Sequence, residues 1–173
     1  IGFFSALFLP TYSDDDLFRS DDAWEYKTEM WGYIGPSIQT DRRKKIIVNT
    51  DIGVGYGKKR GIGFRASAGA NIRPITPLNI NIEIVQDLRP TYMQWVDIIH
   101  GSVDTIRVYA NSKQKTRDIT LRLNWTFSPE FTLECFLQPF YASMNYIEYY
   151  RHVAPRTMEL TKFNYLDNYE NFK

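Results

Sequence analysis

The sequence predicts an all-β fold, an antiparallel transmembrane β-barrel of outer-membrane type or a contiguous part of one. Three observations carry that expectation. Apolar and polar residues alternate with period two, the alternating runs are long, and aromatic residues gather where runs end. The 173 residues include 12 Tyr, 11 Phe and 4 Trp, or 16% aromatic, which asks for a large core, a binding face or a membrane interface.

The opening Ile1-Gly2-Phe3-Phe4-Ser5-Ala6-Leu7-Phe8-Leu9, closed by Pro10, reads as a strand. It lacks the basic start and small-residue cleavage site of a signal peptide. From Lys45 to Tyr56, Ile46, Val48, Thr50, Ile52, Val54 and Tyr56 share one face, against Asn49, Asp51, Gly53 and Gly55 on the other. After a Gly57-Lys58-Lys59-Arg60-Gly61 turn, Ile62, Phe64, Ala66, Ala68, Ala70 and Ile72 alternate with Gly63, Arg65, Ser67, Gly69, Asn71 and Arg73. Pro74 and Pro77 bound a short turn, since neither donates to a ladder. Leu78 to Ile84 alternates again. Tyr92 to Ile99 and Asp104 to Ala110 read as two poorly alternating strands around a Gly101-Ser102 turn. Order returns with Ile119, Leu121, Leu123, Trp125 and Phe127 on one face. Ser128-Pro129-Glu130 has tight-turn chemistry, and Phe131, Leu133, Cys135, Leu137 and Tyr141 return on the matching face.

Alternation alone also describes a soluble sandwich. Length discriminates, because soluble strands run about 5 to 6 residues and membrane strands about 9 to 11. The runs 45–56, 62–73, 118–127 and 131–142 all reach the membrane figure. Trp125, Phe127 and Phe131 mark one expected interface and Tyr141 the other. Ten residues from Phe131 to Tyr141 rise about 33 Å, or about 25 Å along a tilted strand's membrane normal, the height of an apolar band between aromatic girdles. Arg65, Arg73, Glu83, Arg122, Asn124 and Glu134 hold the opposite parity and are the candidate lumen-facing polar residues.

Other chemistry is largely excluded. Lysine plus arginine total 21 against 20 acidic residues, a net of +1, with no basic excess for nucleic acid. His100 and His152 have no partner at ligand spacing, and no metal or cofactor site is expected. Cys135, the one cysteine, sits on the apolar face, where its thiol stays protonated. Gly53-Val54-Gly55-Tyr56-Gly57-Lys58 lacks the Gly-Lys-Ser/Thr ending and the following helix of a phosphate loop; its glycines instead permit close packing. Asp14-Asp15-Asp16 and Asp21-Asp22 lack the ligand alternation of a calcium loop and read as solvated. Asn124-Trp125-Thr126 matches a glycosylation sequon but lies within a strand. Glu83 and Glu134 are expected as lumen charges paired with Arg65 or Arg122, not as a hydrolytic carboxylate pair. No catalytic role is expected.

The string Arg122-Leu123-Asn124-Trp125-Thr126-Phe127, Ser128-Pro129, then Gln138-Pro139-Phe140 resembles a family of Bacteroidota-type outer-membrane proteins. In these, a carbohydrate-binding-family-9-like domain precedes an uncharacterised C-terminal β-barrel. Trp31-Gly32 and Thr40-Asp41-Arg42-Arg43-Lys44 look like further elements of that barrel. Phe18-Arg19-Ser20-Asp21-Asp22 stands where the family carries glycine and proline, and its last strand and sugar-binding domain have no counterpart here.

Residues 1–173 are therefore expected to form a single barrel region, part of a longer chain. The resemblance implies a bacterial outer-membrane location and no reaction. The expected partners are the lipid bilayer, a small solute or glycan, and other envelope proteins. Turns at 74–77 and 128–130 are expected at the periplasmic rim, with the Lys58-Lys59-Arg60 tip outside. A secreted β-sandwich binding carbohydrate on an aromatic face, and a scaffold subunit of an envelope complex, are the rival expectations.

Overall fold

In a computed structural model, residues 1–13, 25–100 and 105–165 are described. The acidic stretches at 14–16 and 21–22, the segment 18–22 and the 101–102 turn lie outside them. Every element among the described residues is a strand. They are β1 (Gly2–Phe8), β2 (Tyr12–Ser13), β3 (Tyr26–Lys27), β4 (Trp31–Gln39), β5 (Ile46–Gly57) and β6 (Gly61–Ile72). There follow β7 (Leu78–His100), β8 (Thr105–Ser128), β9 (Phe131–Leu137), β10 (Phe140–His152) and β11 (Leu160–Lys162).

Nine strands form one antiparallel sheet in the order β1-β4-β5-β6-β7-β8-β10-β11, with β9 also on β8. β2 and β3 pair separately. The sheet is open, with no closure into a barrel among the described residues. β9 and β10 continue one another along β8, Leu137 opposite Leu121 and Phe140 opposite Asp118. Pro139 interrupts them by lacking an N–H, although its carbonyl still accepts from the Ile119 amide at 3.1 Å.

The weakly patterned segments 92–99 and 105–110, residue 104 lying outside the described ones, are not strands of their own. They are the far halves of β7 and β8, 23 and 24 residues long. Alternation fails there for two reasons. The β7 register slips at Thr91/Gln94 and Trp95/Asp97, with Met93 at a positive φ of 63°, and both faces are covered. The buried hydrophobic residues, Met93, Ile99, Val108, Tyr109 and Ala110, all lie in these halves. Tyr26 and His152 meet the Tyr109 ring edge-on, at centroid distances of 5.6 and 5.4 Å. The Lys27 amide donates to Thr157 O at 3.0 Å, and the Arg156 amide to Glu25 O at 2.6 Å, knitting segments 25–28 and 153–158 into a cap.

Elsewhere the sheet has two unlike faces. The row Val48–Ala70–Ile82–Leu121–Leu137 crosses five strands on one face. The adjacent row Asn49–Gly69–Glu83–Thr120 lies on the other. The apolar face is open to solvent, as Phe3 (79% exposed), Ile62 (69%) and Ile84 (46%) show. On β8 it ends at Arg117, which donates to Gln86 at 3.0 Å, whereas on β7 Leu88 carries it one position further, opposite Phe64. The connections at 40–45, 73–77 and 129–130 lie together at one end of the sheet, opposite the cap.

Candidate functional site

Polar parity on β5, β6 and β7 places small and charged side chains side by side. Asp51 faces Ser67, Gly53 faces Arg65, and Asp87 lies beyond Arg65 on β7. Phe4 comes from β1, which pairs through β4, and its ring settles over Gly53, where a Cβ would lie 3.2 Å from it. Trp31 and Tyr33 stand above it on β4. The result is a cleft of about 680 Å³ on the polar face, with an aromatic wall, a glycine floor and a charged wall.

The charged wall is ordered by Asp87, whose Oδ2 accepts from Arg89 at 2.9 Å and from Arg65 at 3.4 Å. Asp87 is shielded (13% exposed) while both guanidinium groups stay more than half exposed. Ser67 Oγ donates to Asp51 Oδ2 at 3.1 Å. Glu83 lines the cleft without a hydrogen bond or ion pair to any described residue. On the aromatic wall, Phe8 stacks on Trp31 at 4.3 Å, and Tyr33 lies 5.8 Å from Phe4 and 6.0 Å from Trp31.

The structure divides the six polar residues singled out in the sequence. Arg65 and Glu83 line the cleft. Arg122, Asn124 and Glu134 lie together nearer the short-turn end, Asn124 opposite Glu134. Arg73 is exposed at the 73–77 turn. The expected pairing of Glu83 and Glu134 with Arg65 or Arg122 does not form. Arg65 lies opposite Asp87, so the shorter carboxylate takes it. Arg122 lies opposite Phe136 and places its guanidinium over that ring, 5.1 Å from the centroid.

Trp125, Phe127 and Phe131 form a cluster beside the 129–130 turn, with centroids 4.2 and 5.3 Å apart. Tyr141 lies on the same face as Phe131, opposite Arg117 where the apolar band ends. The Lys58-Lys59-Arg60 tip is tied down rather than projecting. Buried Glu29 accepts from the Lys59 and Arg60 amides at 2.8 and 2.9 Å and from Arg60 Nε at 3.0 Å. Lys59 Nζ donates to Tyr92 Oη and Met158 O, both at 3.1 Å.

Sequence reasoning missed Asp51, Asp87 and Arg89 as cleft residues. Asp51 held the right parity; Asp87 and Arg89 fell where alternation was fading. Phe4, Trp31 and Tyr33 carried no signal, because only the β1–β4–β5 pairing brings them over the β5 glycines. No grouping of metal-ligating side chains occurs among the described residues, and no helix is long and apolar enough to cross a membrane. Comparisons with protein families, curated proteins and solved structures give no match.

Proposed function

We propose that the chain forms part of the wall of a β-barrel in a bacterial outer membrane. Lipid would lie against its apolar face, and a polar solute would pass or dock along the other. One observation carries this reading: an apolar face continuous across β5 to β9 and exposed along its length, while the small buried core is confined to the cap. Exposed apolar patches of a soluble monomer rarely exceed a few hundred Å², whereas a membrane strand presents such a face along its whole span. The aromatic cluster at the short-turn rim and the outer-membrane resemblance of residues 118–142 add support. The role assigned is conduction or docking, set by lumen charges, without catalysis.

The secreted β-sandwich asks for a second sheet over the apolar rows. Among the described residues the other sheet is only the two-residue pair of β2 and β3. Flotation separates the readings. The full chain, refolded in detergent and mixed with liposomes, is expected to float with the vesicles after high-salt and carbonate washes. A chain that stays folded and dispersed in plain buffer and sediments away from vesicles would overturn the barrel.

A further inference from the structure

We infer that the cleft between the aromatic and charged walls is a binding site for a neutral saccharide of about two rings. This deepens the proposed solute role and rests on it. A sugar ring has a C–H face that is apolar and a rim of hydroxyls that each donate and accept, so it needs one flat apolar wall and one wall mixing donors with acceptors. The cleft supplies both. Tyr33 and Phe4, their rings 5.8 Å apart and tilted by 56°, supply the apolar wall beside Trp31, whose ring is already taken up by Phe8 and Arg60. Opposite them, Arg65 and Arg89 bracket the Asp87 carboxylate, placing donors and an acceptor within reach of adjacent hydroxyls.

Charge narrows the ligand class. Three carboxylates (Asp51, Glu83, Asp87) face two guanidinium groups, which leaves the cleft one negative charge in excess and disfavours phosphates and other anions. The exposed faces of Arg65 and Arg89 disfavour an organic cation. Glu83 and the remaining oxygen of Asp51, without a partner among the described residues, are acceptors open to hydroxyls. The floor lets the walls close in because Gly53, Gly55 and Gly63 carry no side chain: a Cβ on Gly53 would lie 3.2 Å from the Phe4 ring, and one on Gly55 3.4 Å from the Gly32 carbonyl. A Cβ on Gly63 would come within 3.2 Å of the Leu88 carbonyl and the Pro90 ring. At about 680 Å³ the cleft is within the range of small-molecule sites, about 300 to 1,000 Å³.

The test is isothermal titration of the full chain, held in a detergent without a sugar headgroup, with maltose, cellobiose, lactose and N,N′-diacetylchitobiose. At least one disaccharide is expected to bind in the millimolar range or tighter, with arginine methyl ester and inorganic phosphate silent. Tyr33→Ala and Glu83→Gln are each expected to weaken binding at least about tenfold, or about 1.4 kcal/mol. Glu83→Gln removes no hydrogen bond or ion pair among the described residues, so its loss of binding reads the site and not the fold. Absence of binding by all four sugars, binding insensitive to both variants, or selective binding of the cation or phosphate would overturn the inference. Vesicle flotation on the same preparation separates the two proposals. A floating chain that binds no sugar retains the barrel and loses the ligand. A chain that binds sugar through Tyr33 and Glu83 yet does not float retains the site and loses the barrel.

Discussion

Glu29 is the residue that ties down the β5–β6 turn at the cap end of the sheet. Its carboxylate is buried, yet it is matched by two amides and a guanidinium from the β5–β6 turn, with Arg60 also lying over the Trp31 ring at 4.8 Å. Glu29→Ala leaves those donors without an acceptor and is expected to cost about 2–3 kcal/mol, read by chemical unfolding, with faster amide exchange at Lys59 and Arg60. His152 gives the cap a pH dependence. Burial against Tyr109 holds its pKa below the ordinary value; the hydrogen bond to the Thr157 carbonyl opposes this and the Arg107 charge adds to it. The unfolded chain therefore binds a proton that the folded cap resists. The stabilisation is full above about pH 6.5 and is lost as pH falls through the lower folded value. Protection factors of the amides in 153–158, which correct exchange for its intrinsic pH dependence, are expected to fall between about pH 7.5 and 5 in the parent chain and to be flat across that range in His152→Gln.

Strands were legible in the sequence wherever one face is apolar and the other polar. β5, β6, the first part of β7, the second part of β8 and β9 follow period two, so a one-residue error in register would turn every side chain to the wrong side. The far halves of β7 and β8 were not legible as continuous strands, because bulges change the parity and the cap covers both faces. The charge pairing was also hidden: parity fixes the face of Glu83 and Arg65, but only cross-strand register shows that Arg65 meets Asp87. At this scale the two faces should respond oppositely to charge. Ile82→Arg on the apolar face is expected to cost about 2–4 kcal/mol in lipid. Asn81→Arg, one residue away on the polar face, is expected to change unfolding free energy in liposomes by no more than about 0.5 kcal/mol.

The described residues form one large sheet with an amphipathic cross-section, a cap at one end and three short turns at the other, with β2 and β3 paired apart from it. Among the described residues β1 on one side, and β9 with the part of β10 before its Tyr150–His152 pairing to β11 on the other, have no further strand beside them, and β9 is exposed along its entire length. Hydrocarbon does not tolerate such edges, so in a bilayer both must pair with further strands. Amides of Phe131–Leu137 are accordingly expected to exchange slowly in liposomes, and fast exchange there would mean an unpaired edge at the membrane. The most direct measurement is spin-label accessibility at successive single cysteines from Ile119 to Phe127, with Cys135 replaced, in liposomes. Oxygen accessibility should peak at Leu121, Leu123 and Trp125, and a water-soluble nickel complex should peak at Thr120, Arg122 and Asn124. If Leu123 is shielded from both reagents, or the two profiles rise and fall together, the apolar face does not meet lipid and the barrel wall is contradicted.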